Sequence, residues 1–120
     1  NKFNKSENYK DKYDEYLSYY LYNLLLYCLD KDLNNVINVD IIKELIEGDE
    51  GEKAKSMYNK NNDTPLHIAI DKNLSKEIIE LLCTGVEGEK AKSMYNKNND
   101  TPLHIAINKN LSKEIIELLK

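Results

Sequence analysis

The sequence has no arginine: lysine accounts for all 17 of its basic residues, in a chain of 120. Arginine is the side chain best suited to phosphate and guanine, because its planar guanidinium donates two parallel hydrogen bonds. The formal net charge is −4 and the isoelectric point is near 5.2. An acidic chain without arginine lacks the charge and the forked donor that nucleic acids favour, so we expect no nucleic-acid partner.

Cysteine and histidine are also scarce, with two of each. Neither Cys28 nor Cys83 has a second metal ligand at short spacing, so we expect neither a disulfide framework nor a metal site. We predict two reduced thiols in an intracellular, cytoplasmic protein, with Cys28 as a small core residue in an apolar run. No signal peptide is visible, although the chain starts at Asn1 and not at a methionine.

The arrangements that catalysis requires are missing as well. The four glycines form no phosphate-binding loop, and no serine or cysteine has a recognisable base arrangement. No pair of carboxylates stands out from the solvated charges on helix faces. We predict that the chain is not an enzyme and that it binds no cofactor.

What the sequence does contain is an internal repeat. Residues 51–82 recur at residues 88–119 with one difference, Asp71 becoming Asn108, so the copies are 37 residues apart. A period between about 20 and 50 residues is typical of solenoids, whose units bury their apolar faces only against their neighbours. The alternative is a duplication inside a globular domain, but such a domain has no simple way to accommodate an inserted copy.

Each copy begins with a turn and a short helix. Residues 59–63 are a polar cluster rich in asparagine, which tolerates a left-handed backbone best after glycine. Thr64 is a suitable N-cap, and Pro65 fits the first helical position, where its missing N–H costs nothing. The pattern predicts a short buried helix over residues 66–70 that ends at residues 72–73.

A second helix follows in each copy. Ser75 can cap it, and Gly85 can stop it. Its apolar residues have the i, i+3, i+4 spacing of one helix face and are Ile78, Ile79, Leu81 and Leu82. The unit is therefore predicted as turn, short helix, longer helix and loop.

These residues resemble the ankyrin repeat. Its signature Thr-Pro-Leu-His-x-Ala stands at residues 64–69 and again at residues 101–106, and Leu81-Leu82 with Gly85 matches the family's Leu-Leu-x-x-Gly. Asn62 and Asn73 stand where the family usually has glycine, which asparagine can replace in the left-handed region. The resemblance implies an all-α, ankyrin-type α-solenoid of helix-turn-helix repeats with extended hairpin loops.

The repeat is longer than the family's usual period of about 33 residues. The helices match in register, which places the surplus at residues 87–95, between Gly85 and the next turn. Residues 89–94 have helical propensity. We therefore expect the finger loop to carry an extra helical turn.

The N-terminal half resembles a degenerate copy of the same unit. Residues 25–33 align with residues 66–74, which places Cys28 on the small alanine position, and residues 42–48 resemble the second helix and its stop. The link at residues 34–38 is longer. We expect one domain over residues 1–120, with three units, about the minimum for a stable solenoid. Its parts are an extension at 1–22, the degenerate repeat at 23–50, and repeats at 51–87 and 88–120.

Residues 9–29 contain neither glycine nor proline and place apolar residues at helical spacing, which predicts one long helix. Its apolar run, residues 16–29, is shorter than the roughly 20 residues that a membrane span needs. We favour a core helix between neighbours. A membrane or interfacial helix and a helix that docks a partner are the alternatives.

The resemblance gives the two histidines a structural role. In the family this histidine hydrogen-bonds with the threonine of the same motif, and Thr64 with His67 and Thr101 with His104 are placed to do so. We therefore expect neither histidine to be catalytic.

The resemblance also implies a protein-protein interaction scaffold, because ankyrin arrays bind partners through their hairpin tips and the exposed side of their first helices. The candidate contacts in the two copies are Tyr58, Lys60, Asn61, Asp63, Asp71 and Lys72, and Tyr95, Lys97, Asn98, Asp100, Asn108 and Lys109. For the polar residues, the alternative is simple solvation. For the tyrosines and the preceding Met57 and Met94, it is packing against the adjacent loop.

The near-identity of the two copies predicts an open apolar edge on the last unit. The second unit needs an apolar edge for the third, yet the third has nearly the same sequence with nothing after Lys120. We expect an open edge around Ile105, Ile115, Leu118 and Leu119. Either the chain is a fragment of a longer array or this edge associates end to end with another molecule.

Three functions remain open at this point. The first is the scaffold, and the second is a targeting or regulatory region of a larger protein whose activity lies elsewhere. The third is membrane attachment through the N-terminal helix. Heavy use of asparagine, lysine, isoleucine and tyrosine indicates an AT-rich genome. Because near-identical ankyrin copies are common in intracellular bacteria and some viruses, the resemblance also raises a host-directed effector.

Overall fold

The computed structural model describes residues 5–30 and 39–120, and within the first range it describes the side chains from residue 12 onward. Every regular element in these ranges is a helix. The helices are α1 (Lys5–Asp30), α2 (Val39–Ile46), α3 (Gly48–Ala54), α4 (Pro65–Asp71), α5 (Lys76–Cys83), α6 (Gly85–Lys92), α7 (Pro102–Asn108) and α8 (Lys113–Leu118).

The short helix α4 starts as the sequence predicts. The Thr64 hydroxyl accepts a hydrogen bond from the backbone N–H of His67, and Pro65 occupies the first turn. Asn73 has a φ of 51°, so the chain leaves the helix through the left-handed region. Ser75 then caps α5 by accepting from the N–H of Ile78. Since α7 and α8 repeat these features, both copies have the predicted helix-turn-helix form.

The units stack in two layers of helices. The first layer contains α1, α4 and α7, and the second contains α2, α5 and α8, with contacts between successive helices of each layer. The core runs between the layers, where Leu66, Ile70, Ile79 and Leu82 are completely buried. Each unit covers the next, which confirms the solenoid.

The N-terminal helix α1 is longer than predicted, extending from Lys5 to Asp30. Its second half is a core helix: Leu25 and Leu29 are fully buried, and the Tyr22 hydroxyl donates to the carbonyl of Asp63 at 3.3 Å. Cys28 is half-buried against the core. Within residues 5–30 and 39–120, no helix is both long and apolar enough to cross a membrane. The predicted link at 34–38 lies outside the described residues.

The surplus residues of each unit form a separate helix, α3 or α6. We expected the extra turn at residues 89–94, but α6 begins earlier, at Gly85, and ends at Lys92. Gly85 has a φ of 79°, so it ends α5 as predicted and also starts α6. The extra helix therefore follows the second helix directly and lies before the hairpin turn.

An ion pair between the buried Lys55 and the half-buried Glu52 joins the extra helices of neighbouring units. Lys55 is 2.8 Å from Glu52 within the α3 segment, and its ammonium also donates to the carbonyl of Thr84 at 2.9 Å. Glu52 accepts a hydrogen bond from the N–H of Glu87 in α6 at 2.8 Å. Burial opposes ionisation of Glu52, but the bonds from Lys55 and Glu87 outweigh it and hold its pKa below the usual value.

The extra helix packs closely against the end of the second helix at Gly88. A Cβ atom there would lie 2.7 Å from the carbonyl carbon of Cys83 and 3.0 Å from the carbonyl oxygen of Leu82. Both neighbours are backbone atoms, so neither can rotate away. Only glycine allows α6 to lie against α5 at this distance.

We predict that Gly88→Ala destabilises the protein by about 1–3 kcal/mol, because the steric conflict outweighs alanine's helix propensity. Urea unfolding followed by circular dichroism measures this change. Lys90→Ala in the same helix is the matched control, since Lys90 is exposed and its replacement should change stability little. Equal stability of the Gly88→Ala variant and the wild type would contradict the close packing.

The open edge of the last unit is not made of the residues that we predicted. Ile115 and Leu119 were placed there, but they are only 5% and 4% exposed, because they belong to the core that α8 shares with α5. Ile105 and Leu118 are half-buried. That part of the prediction is wrong, since sequence periodicity does not tell which apolar residues face the neighbouring layer and which face the next unit.

Comparison of the two copies shows which residues are more exposed to solvent in the last unit. Ile107 is 51% exposed, whereas its counterpart Ile70 is fully buried. His67 is buried and its counterpart His104 is exposed. The difference arises from position in the stack, because the surrounding sequences differ only at Asp71 and Asn108, which are exposed in both copies.

We predict that Ile70→Ala lowers the free energy of unfolding by about 2–5 kcal/mol, because it leaves a cavity in the core. Ile107→Ala is the matched control and should cost less than about 1 kcal/mol, because that side chain is half in solvent. Urea denaturation of both variants tests this difference. If the two substitutions cost the same, stacking does not determine burial here.

Candidate functional site

The hairpin turns are built by asparagine side chains. The Asn59 side-chain oxygen accepts from the N–H groups of Asn61 at 2.9 Å and Asp63 at 3.0 Å. Asn62 has a φ of 59°, in the left-handed region that the sequence predicted. Asn96 and Asn99 play the same parts in the next turn. Each turn is therefore closed by its own side chains, without a strand.

Successive turns are held in register by direct hydrogen bonds. The N–H of Lys97 donates to the carbonyl of Asn61 at 3.0 Å, and the Asn96 amide donates to the Asp63 carboxylate at 3.1 Å. The Asp63 carboxylate therefore has a structural role in addition to any contact with a partner. Together the turns form one wall of a concave surface.

His67 links its own turn to the following one. Its Nδ1 accepts from the backbone N–H of Thr64 at 3.1 Å, so the proton lies on Nε2, which donates to the carbonyl of Asp100 at 3.0 Å. Burial lowers the pKa of His67, although the Asp100 carbonyl and the Asp63 carboxylate oppose this effect. The contact with Thr64 confirms the structural role predicted for this histidine.

Two ion pairs cross between units along the first helices. Lys72 is 3.2 Å from Asp30 of the preceding unit, and Lys109 is 3.4 Å from Asp71. These residues occupy equivalent positions, so the pairs form a ladder. Asn108 holds the next aspartate position, where its amide cannot form an ion pair, and the ladder ends there. Exposed pairs of this kind contribute about 0–1 kcal/mol each.

A groove with a volume of 720 Å³ runs across all three units on this side. It is lined by first-helix and turn residues: Asn23, Leu26, Tyr27, Asp30, Asp63, His67, Ile68, Asp71, Lys72, Asn96, Asn98, Asp100, Ile105, Asn108 and Lys109. We call it the concave groove. Seven of the predicted contact residues line it, namely Asp63, Asp71, Lys72, Asn98, Asp100, Asn108 and Lys109.

The sequence prediction missed the contribution of α1 to the groove. The alignment of residues 25–33 with residues 66–74 contained the signal, since it aligns Tyr27 with Ile68 and Asp30 with Asp71. Applying the contact positions to the degenerate repeat would have found both α1 residues.

The remaining predicted contacts lie elsewhere. Tyr58 and Tyr95 are 58% and 59% exposed and line a separate cleft of 240 Å³ with Asn62 and Met94. The ring of Tyr95 lies 6.2 Å from that of His104. Lys60, Asn61 and Lys97 are exposed on the turns and line neither the groove nor the cleft.

The described residues include no cluster of three or more histidine, cysteine or carboxylate side chains that could hold a metal ion. Cys28 and Cys83 are both free thiols. Burial raises the pKa of each thiol, which keeps them in the unreactive protonated form.

The fold and the groove define a helical repeat protein whose units stack side by side. A family model for ankyrin repeats matches residues 24–120 as three copies, so the chain belongs to the ankyrin repeat family. The matched range includes residues 24–50, which form the degenerate unit. No curated protein and no solved structure matches the chain. Ankyrin repeats generally mediate protein-protein interaction, and the family is typically non-catalytic.

The buried imidazole predicts a pH dependence of stability. The folded state lowers the pKa of His67 below its unfolded value of about 6.5, so the unfolded chain binds more protons. Stability from the neutral imidazole is therefore complete above about pH 6.5 and decreases as the pH falls below it. Melting temperatures of the wild type and of His67→Gln, measured between about pH 8 and about pH 5.5, test this. This pH range lies above the pKa values of ordinary carboxylates. An equal slope in both proteins would contradict it.

Proposed function

We propose that the chain is an interaction module that binds a segment of a partner protein along the concave groove. The observation that supports this proposal is the continuity of the groove, which takes residues from α1, α4, α7 and both turns. An elongated groove across several rigid units is suited to an extended or helical segment of another chain. The apolar side chains Leu26, Ile68 and Ile105 supply contact area among the polar ones.

The charge of the groove indicates the chemistry of the partner. Four carboxylates line it, those of Asp30, Asp63, Asp71 and Asp100, against the two ammonium groups of Lys72 and Lys109. Both lysines are already paired with aspartates of the preceding unit. The groove is therefore net acidic, like the whole chain, and we propose a partner segment that carries lysine or arginine.

The cleft at Tyr58 and Tyr95 is a second, smaller contact area within the same proposal. Both tyrosines are exposed and lie beside the turns that form the groove wall. Tyrosine supplies a large contact at low conformational cost, and Met94 can adapt its shape.

Peptide display against the wild-type protein tests the proposed partner chemistry. We predict that selected peptides are enriched in lysine and arginine. Combined Asp30→Asn and Asp71→Asn substitutions should weaken their binding about tenfold, or about 1.4 kcal/mol, in isothermal titration calorimetry. The substitutions remove two groove charges and introduce at residue 71 the amide that Asn108 already carries.

The matched control is the pair Glu77→Gln and Glu80→Gln on α5, which changes the net charge equally at exposed residues outside the groove. Binding to this control should stay within about twofold of the wild type. Selected peptides without basic residues, or equal weakening by both pairs, would show that the groove charges do not recognise the partner.

A further inference from the structure

A row of tyrosines covers the exposed face of α1. We define the tyrosine stripe as Tyr13, Tyr16, Tyr20, Asn23 and Tyr27. Its four tyrosines are between 58% and 71% exposed, which is unusual for large aromatic side chains on a folded domain. Three of the four lie before residue 24, where the match to ankyrin repeats begins. The repeat architecture therefore does not explain them.

The stripe is separate from the face that packs α1 onto the repeats. Tyr22, Leu25 and Leu29 are buried on the opposite side of the helix. Among residues 12–30, the first buried one is Ser18, so the preceding part of the helix projects beyond the units and leaves room beside it. The helix therefore has one face for its own chain and a second, aromatic face exposed.

The spacing of the stripe is that of helix pairing. Its residues are spaced alternately by three and four positions. This is the spacing of the a and d positions of a coiled-coil heptad, through which two long helices pack together. The stripe covers about 21 Å of α1 at 1.5 Å per residue. The cavity along it has a volume of 390 Å³ and no charged lining residue, so two such faces can meet without like charges opposing each other.

We propose that α1 pairs in antiparallel orientation with α1 of a second copy of this chain, through the tyrosine stripe. The stripe is self-complementary in this orientation. Tyr16 then lies opposite Tyr27 of the second copy, Tyr20 lies opposite Asn23, and Tyr13 lies opposite Asp30. The same contacts recur in reverse, as a two-fold axis requires. The Tyr20 hydroxyl then meets the Asn23 amide and the Tyr13 hydroxyl meets the Asp30 carboxylate, which can accept such a bond while it remains 3.2 Å from Lys72.

Charge and area support this pairing. A parallel pair would place Asp30 against Asp30, whereas the antiparallel pair separates these carboxylates. Tyr19 lines the same cavity and is 55% exposed, so these five tyrosines can bury at most about 600 Å² per copy. Two copies then bury at most about 1,200 Å², the lower end of specific protein interfaces. The expected dimer is therefore specific but weak enough to depend on concentration.

Sedimentation equilibrium of the whole chain, over concentrations reaching the millimolar range, measures this association. The mass should rise from 14.0 kDa toward twice that value. Combined Tyr16→Glu and Tyr20→Glu substitutions should give a monomer with an unchanged helical signal and melting temperature, because both side chains are exposed. The wild type remaining a monomer over the whole series would overturn the proposal.

The matched control uses tyrosines of similar exposure elsewhere. Combined Tyr58→Glu and Tyr95→Glu substitutions should leave the dimer intact. Loss of the dimer in this control as well would overturn the assignment to α1. Flotation with phosphatidylcholine vesicles separates the proposal from an interfacial helix: a wild-type protein that stays monomeric and floats through Tyr16 and Tyr20 would overturn it.

A photocrosslinking residue in place of Tyr16 tests the orientation. In the antiparallel dimer, mass spectrometry should find its crosslinks near Tyr27 of the second copy. Crosslinks near residue 16 of the second copy would overturn the antiparallel register, and the charge-substituted Tyr20→Glu background should abolish the crosslink altogether.

Discussion

The stacking of the second and third units depends on the hydrogen bond from His67 to the carbonyl of Asp100. Thr64 holds the imidazole within its own turn, and the turn is closed by Asn59. The other ring nitrogen then reaches the following turn at 3.0 Å. One side chain thus joins local turn geometry to the register of two units, and the shared wall of the concave groove follows from that register.

The near-identity of the two copies separates the effect of sequence from the effect of position. Ile70 and Ile107 lie in sequences that differ only at the next residue, Asp71 or Asn108, yet one isoleucine is fully buried and the other is 51% exposed. In a globular domain such a comparison needs two proteins. Here it shows that part of the core of a unit depends on cover by another unit, whereas Ile115 and Leu119 stay buried without it. This is expected when stability is a sum over neighbouring interfaces.

Local features of the fold could be predicted from the sequence, and features that join two units could not. The cap at Thr64 and the left-handed Asn73 depend on adjacent residues, and both were found. The start of α6 was misplaced, because it depends on Glu52 of the preceding unit, which binds the N–H of Glu87. The groove residue Asp30 was missed for a different reason, since the contact positions were not applied to the degenerate unit, where Asp30 aligns with Asp71.

The two proposed binding surfaces of α1 are not independent. Asn23 and Tyr27 line the concave groove and also lie in the tyrosine stripe. A second copy paired along the stripe would therefore cover the end of the groove that α1 provides, whereas the end at Asn108 and Lys109 would stay accessible. A partner segment long enough to reach Tyr27 would have to displace the second copy, so occupation of the groove and pairing of α1 oppose each other thermodynamically.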